Sequence, residues 1–306
     1  MKHCYAAWNP SAEDRKGSAS GGVATLLARA VLAQGGVYFG TRWNSQMQAE
    51  VAWTETDPAP FRGSRYVQSR FSAEARAALE VFLEAGRTVL FVGTPCQVAS
   101  LKALRHYPNL LCADVLCHGT VEAEHLSAEV AFLTREPVTD IRFREGPRFR
   151  FSLWNGDKCL YARDAERSAY LWGYLSGLTL REACYRCPFA SPERVGDLTL
   201  GDFIGIERKG VSFVLTNTPA GEALLQRCGA VLEPRHLEER LAYRPGILEP
   251  AAPPAAREKY LRYLPSEGFP RAVRHALRGY FWALPLRKAW KWIHHQAHLT
   301  RGALGI

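Results

Sequence analysis

The chain has 306 residues, 47% of them hydrophobic and 23% charged, with a formal net charge of +9. These proportions suit a folded chain with one large core or two modest ones, and they exclude a disordered or collagen-like protein. Residues 271–306 hold Arg271, Arg274, Arg278, Arg287, Lys288, Lys291 and Arg301 with no Asp or Glu, which leaves +2 for the remainder. The basicity belongs to a tail, and no nucleic-acid-binding body is expected.

The opening "MKHCYAAWNPSAEDRKG" is polar and lacks the apolar stretch of a secretory leader. No uncharged apolar run approaches the ~18 residues of a spanning helix, so a cytoplasmic location is expected. There, eight cysteines favour metal or catalytic roles over disulfides.

"SASGGVATLLARAVLAQGG" predicts a helix: Ser18 or Ser20 caps it, Val23, Leu26, Leu27, Ala30 and Val31 form its apolar stripe, and Gly35-Gly36 ends it. "VYFGTRW" and "EVAWTET" follow as strands, "AEARAALEVFLEAG" as a helix, "RTVLFVG" as a buried strand, "CQVASLKALRHY" as a helix and "NLLCADVLC" as a second buried strand. Residues 87–117 thus form a βαβ unit with parallel strands.

Further on, "VTDIRFR", "FRFSLW" and "KCLYA" are expected strands, the last two joined as a hairpin at Asn155-Gly156-Asp157. "AERSAYLWGYLSG" is an expected helix, "VGDLTLGDF" and "VSFVLTNT" are strands, and "AGEALLQRCG" is a helix. Beyond about 245 a Pro/Ala-rich linker leads into the tail, which Pro285 is expected to split into two helical segments. The tail's basic residues are interleaved with Tyr280, Phe281, Trp282, Trp290 and Trp292. That mixture allows peripheral contact with an anionic membrane, or plain packing of the aromatics on the domain.

The chemistry centres on cysteine. Cys184 and Cys187 form a Cys-x-x-Cys pair, and structural zinc or iron–sulfur centres require two further ligands. Cys96 opens the helix after the first strand of the βαβ unit, and Cys117 ends its second strand. Both positions fall at the C-terminal edge of a parallel sheet, where ligands bind. A helix N-terminus also favours the thiolate of Cys96. The alternatives are two packing cysteines with a redox pair or half a zinc site. A thioredoxin-like pair fits less well, because this one is followed by Pro188 and a loop instead of opening a helix. Cys112, Cys159 and Cys228 are expected to pack, and Cys4 has no assigned role.

"SASGG" before a helix could set N–H groups against a phosphate, or could be ordinary capping. It is not the glycine fingerprint of a Rossmann nucleotide site. "FRGSRYVQSR" offers Arg62, Arg65, Tyr66 and Arg70 to an anion or a ring, or is a solvated loop. His118 is a weak candidate for a proton donor, since a lone histidine is more often structural.

In this order, "RKGSASGGVATLLARAVLAQGGVYFG", "FRGSRYVQSR", "VLFVGTPCQVASLKAL", "LLCADVLCHG" and "CYRCPFASPERVGDLTLGDFIG" closely resemble the beta-subunit family of coenzyme F-420 hydrogenases and dehydrogenases. That family includes ferredoxin-dependent chlorophyll-pathway reductases and bacterial proteins associated with surface-polysaccharide genes. The resemblance runs from about residue 4 to about 245. It implies FAD and one 4Fe-4S cluster passing electrons between a one-electron carrier and a two-electron substrate. Carried over, the cluster ligands are Cys96, Cys117, Cys184 and Cys187. The flavin side falls on Ser20, Gly21, Gly22 and Thr25, joined by Arg65, Tyr66 and Gln68.

Larger relatives begin with a ferredoxin-like domain, and this chain starts where that domain would end. One cluster and a separate ferredoxin-like donor protein are therefore expected. The expected fold is α/β, a mixed sheet with a parallel βαβ core, cluster-binding loops at one edge and a helical basic C-terminal tail. Residues 1–245 are the expected oxidoreductase domain, about 1–75 flavin-contacting and about 85–245 cluster-binding, and 246–306 form linker and tail. The sequence does not name the substrate, and a small or sugar-derived molecule is expected. The rival functions are an F-420-dependent hydride transferase and a non-catalytic interaction module stapled by metal.

Overall fold

Residues alternate in facing along the buried strands, so each strand serves two cores at once. The computed structural model describes residues 2–104, 106–206, 210–241 and 249–303, with the side chains of residues 102, 241 and 285–303 left out of the description. In chain order the elements are β1 (His3–Trp8), α1 (Ala12–Lys16), α2 (Val23–Leu32), β2 (Val37–Trp43), β3 (Ala49–Thr54), α3 (Ala73–Glu84), β4 (Val89–Gly93), α4 (Pro95–Ser100) and β5 (Leu110–Val115). Then come α5 (Ala123–Leu133), β6 (Asp140–Glu145), β7 (Arg148–Asn155), β8 (Lys158–Asp164), α6 (Ala169–Leu175), β9 (Leu198–Asp202) and β10 (Ser212–Thr216). The chain closes with α7 (Pro219–Arg227), β11 (Val231–Arg235), α8 (Leu237–Leu241) and α9 (Ala256–Ala303).

An eight-stranded sheet has the order β11-β1-β10-β9-β5-β4-β2-β3. Its centre is parallel, with β2 on β4, β4 on β5 and β5 on β9, while β1, β10, β11 and β3 pair antiparallel. This is the expected mixed sheet with a parallel βαβ core. On one face Leu90, Leu111 and Leu198 meet Val23, Leu27, Leu224 and Leu225 of α2 and α7. On the other, Val89, Phe91 and Cys112 meet Leu79, Leu83 and Val98 of α3 and α4. Each such side chain contributes about 1.5–3 kcal/mol on full burial.

A second sheet, β6-β7-β8, is antiparallel, and the expected hairpin at Asn155-Gly156-Asp157 forms, with Asn155 paired to Lys158. Its apolar side, Ile141, Phe143, Phe151 and Leu153, packs with α5, α6 and α9. Residues 256–281 of α9 belong to this second core: Tyr260, Phe269, Val273 and Leu277 are buried in it. Arg274 also holds the fully buried Glu129 through both guanidinium arms, at 2.9 and 2.7 Å.

Several expected boundaries move. The helix expected over 96–107 is only α4 followed by a 3₁₀ turn at Lys102–Leu104. The strands β1 and β11 and the helix α5 were not expected at all. The tail helix breaks at Gly268 (φ 71, ψ 169) and runs on past Pro285. Gly268 takes a backbone geometry nearly closed to other residues, and Pro270 then restarts the helix, so the break comes earlier than the proline rule placed it. Among the described residues no helix is long and apolar enough to cross a membrane.

Candidate functional site

Strand register sets the first two cysteines. Gly93 of β4 lies opposite Asp114 of β5, and Cys96 and Cys117 each follow three residues later, at the C-terminal edge of the parallel strands. Cys184 lies in the 3₁₀ turn Glu182–Arg186 and Cys187 closes it. A Cβ on Gly119 would lie 3.2 Å from Cys184 Cβ, so the Cys117 turn sits against Cys184; the Cys117 thiol is pushed up to about 12, chiefly by burial and further by Cys184, Cys96 and Cys187, against one hydrogen bond from the Gly119 backbone. All eight cysteines are free thiols, and Cys96 is exposed. Among the described residues no three His, Cys, Asp or Glu stand close enough for a single metal ion.

Two buried carboxylates fix the loop that follows Cys187. Asp114, with no exposure, accepts from Arg194 Nε at 3.0 Å, from Arg194 Nη2, and from the Gly196 N–H at 2.8 Å. Arg194 Nη1 reaches on to the carbonyls of Phe189 and Ser191. Asp197 accepts from the Cys112 N–H at 2.8 Å and from the Thr218 hydroxyl at 2.9 Å. The segment after the Cys-x-x-Cys pair is thereby pinned to β5, the strand that leads to Cys117. Leaving such a buried pair half-made costs several kcal/mol, so the loop has one stable seat.

Gly119 allows the close approach of the third cysteine. At φ 133, a Cβ there would lie 2.9 Å from Leu180 Cδ1 and 3.2 Å from Cys184 Cβ. Next to it Thr120 donates to Gln68 Oε1 at 3.0 Å, and Arg181 Nη1 donates to the same oxygen at 2.8 Å. The Arg181 N–H is bonded to the Thr120 carbonyl, and the Cys184 N–H to the Arg181 carbonyl. Gln68 therefore ties residues 65–70 to both the Cys117 turn and the Cys184 turn.

The residues implied for a flavin lie around the same edge, and several are already engaged internally. Gly21 N–H and Ser20 Oγ both bond Ser212 Oγ, at 3.0 and 2.9 Å, and a Cβ on Gly21 would press to 2.8 Å from Ser212 N. Gly22 has φ 77 and caps α2 without a side-chain bond, and Thr25 is buried one turn later. Arg65 spends its guanidinium on the carbonyls of Pro60, Phe61, Arg62 and Gly63 and covers Trp43, and burial lowers its pKa to about 10. Tyr66 stacks on Tyr174 at 4.6 Å, and His118, exposed, meets the edge of that same Tyr174.

Sequence reasoning missed Arg144. Its buried guanidinium bonds Tyr66 Oη at 3.1 Å, Asp202 at 2.9 Å and the Ala19 carbonyl at 2.9 Å. It draws the "SASGG" turn, the Tyr66 segment and the end of β9 to one point. A legible signal existed for Asp114, the one charge inside the apolar run "NLLCADVLC", since a charge there needs a buried partner. Nothing comparable marks Arg144, one of two arginines in its strand.

Fold and site together define the class: a mixed α/β protein with a thiol-lined sheet edge. Residues 86–239 match the family described as the C terminus of the coenzyme F420 hydrogenase/dehydrogenase beta subunit, and the chain belongs to that family. The family consists of oxidoreductase subunits, so the chain's role is a redox one. Among solved structures it is similar to a chain of the F420-reducing NiFe hydrogenase complex from Methanosarcina barkeri, studied by xenon derivatization. The TM-score is 0.55 at 18% identity, over 89% of this chain and 90% of that one. That likeness shows a shared fold. No curated protein matches the chain.

Proposed function

We propose that the chain is an iron–sulfur flavoprotein that moves electrons between a one-electron carrier protein and a small-molecule substrate. The observation that carries this reading is that Cys96 and Cys117 follow adjacent parallel strands at one sheet edge, with Cys184 against the Cys117 turn and Cys187 closing the same 3₁₀ turn. The donor set fits a 4Fe-4S cluster on chemical grounds. A 4Fe-4S cluster takes four cysteine thiolates, and its iron supplies the positive charge that lets such thiols ionise. Zinc is the competing occupant, since four cysteine thiolates also make a structural zinc site.

When bound, the cluster supplies one-electron transfer, and a flavin converts between one-electron and two-electron chemistry. The chain's own residues do the rest. Cys96, at the exposed rim, offers the entry side to a ferredoxin-like carrier. The N-terminus of α2, capped by Gly22 without a side chain, is the place for the flavin phosphates, with Ser20 and Thr25 beside it. Tyr66 and Gln68 lie between that turn and the cysteine loops, and Gly21 and Arg65 serve by shaping their own turns. His118 is exposed beside Cys117 and is the candidate proton donor. The substrate class fits sugar-derived molecules of surface-polysaccharide metabolism. An F-420-dependent hydride transferase is the alternative, in keeping with the family description.

The test is anaerobic purification with a visible spectrum and assays for iron, sulfide, zinc and flavin. Iron and sulfide near four each per chain, with bound FAD, are expected. A colourless zinc protein would reject the reading in favour of a stapled module, and hydride exchange with F-420 would select the alternative. Cys184→Ser should lose the iron, whereas Cys112→Ser, buried in β5 away from the edge, should keep it.

A further inference from the structure

Two threonines stand in matching positions beside two of the four cysteines. Thr94 Oγ1 lies 3.1 Å from Cys96 Sγ and 3.1 Å from Gln97 Oε1. Thr120 Oγ1 lies 3.9 Å from Cys184 Sγ and 3.0 Å from Gln68 Oε1. A hydroxyl has one proton to donate, so each threonine must choose between an amide oxygen and a sulfur.

The amide oxygens do not depend on that proton. Gln97 Oε1 also receives the Thr94 N–H at 3.1 Å, and Gln68 Oε1 also receives Arg181 at 2.8 Å. Both amides are held from elsewhere as well: Gln97 Nε2 donates to Ser69 Oγ at 2.8 Å, and Gln68 Nε2 donates to the Ser69 carbonyl at 3.1 Å. A neutral thiol is a weak acceptor, but a metal-bound thiolate is an anion and draws a charge-assisted bond.

We propose that Thr94 and Thr120 are positioning residues that turn their hydroxyls from Gln97 and Gln68 onto the Cys96 and Cys184 sulfurs and so raise the reduction potential of the bound cluster. The proposal rests on the four-cysteine reading above. One-electron reduction adds one negative charge to the thiolate-bound unit. No bond breaks, and the proton stays on the threonine oxygen. Hydrogen bonds to the sulfurs favour that more negative state, which is the direction of a raised potential. Thr94 should act more strongly, being nearer its sulfur. Both Gln97, through Ser69, and Gln68 reach residues 68–69, so the same proton choice ties the cysteine edge to the segment that carries Tyr66.

The experiment is a dithionite titration of the full-length cluster-loaded protein with redox mediators, followed by electron paramagnetic resonance, with iron and sulfide measured on every sample. Thr94→Val and Thr120→Val should lower the midpoint potential at unchanged iron content, Thr94→Val by more. Thr94→Ser and Thr120→Ser should return it to the parent value. An unchanged potential in Thr94→Val with its iron intact overturns the proposal, as does an equal fall in Thr94→Ser. If Thr94→Val fails to hold iron, Thr120→Val carries the same readout, and no change there overturns it. Loss of iron in both valine variants but in neither serine variant would also overturn it, because the hydroxyls would then be a structural need. A parent protein that holds no iron refutes the cluster reading itself, a separate result.

Discussion

Asp114→Ala should destabilise the protein and strip the site of iron together. Asp114 has no exposure and the Arg194 side chain only 6%, so alanine would leave a guanidinium buried without its counter-charge. The Gly196 N–H loses its acceptor as well. Breaking a buried pair from one side costs about 3–5 kcal/mol. At the roughly 2 °C per kcal/mol of a large domain, that lowers the melting temperature by about 6–10 °C. The loop 188–196 loses its attachment to β5, so iron per chain should fall even at temperatures where the variant stays folded. Thermal melts of the anaerobic protein paired with iron assays read both effects. The double variant Asp114→Leu/Arg194→Leu removes both charges and should cost less than the sum of the two singles. A shift under about 2 °C for Asp114→Ala, or a double variant as damaging as that sum, would refute the reasoning.

Gly119→Ala places a Cβ against Leu180 and Cys184 at a backbone angle alanine resists, so it should cost about 1–3 kcal/mol and lower iron content, read by melts and iron assay. Burial works against ionisation of Glu222, but bonds from Gln226, Thr216, Tyr5 and His3 hold its pKa down to about 2. Its contribution to stability is therefore whole above the unfolded value of about 4.3 and fades as pH falls towards 2. Glu222→Gln should flatten acid unfolding curves over that window, and an unaltered curve would contradict the assignment. For the tail, Phe269, Val273 and Leu277 are core residues, so a truncation test of membrane contact belongs after Leu284. Full-length protein should co-sediment with anionic vesicles more than a 1–284 chain does, and equal sedimentation would leave the tail a packing element.

The parallel centre of the sheet was legible because "RTVLFVG" and "NLLCADVLC" are apolar on both faces and flank a short helix. The placement of Cys96 and Cys117 at equivalent strand ends was legible for the same reason. Strand β1 was hidden by its composition, since Cys4, Ala6 and Ala7 are small and the flanking residues polar. Such a strand is stabilised by the neighbours on both sides, which no local pattern reports. The hydrogen-bonding partners were the least visible part. Gln68, Thr120 and Arg181 converge from three segments, and only the folded chain shows that one amide oxygen serves two of them. Gly22 illustrates a related limit: its φ of 77 makes a side chain there a strain on the backbone, so a bulky substitution reports on folding before it reports on a flavin.

The place of β1 in the sheet has a consequence for the timing of synthesis. Strand β1, made long before its partners, lies between β10 and β11, and His3 bonds Thr216 across 213 positions. At about 5–20 residues per second, its partners follow roughly 10–40 s later. During that interval the edge of β1 is unpaired, and Ser212, which holds the Gly21 N–H, has not been made. The nascent chain can complete the Cys96 and Cys117 turns early, but the "SASGG" turn receives its final shape only after β10 has docked. The cysteine turns can thus form before the neighbouring turn closes, and a holdase that shields β1 in the meantime would raise the yield of protein able to close it.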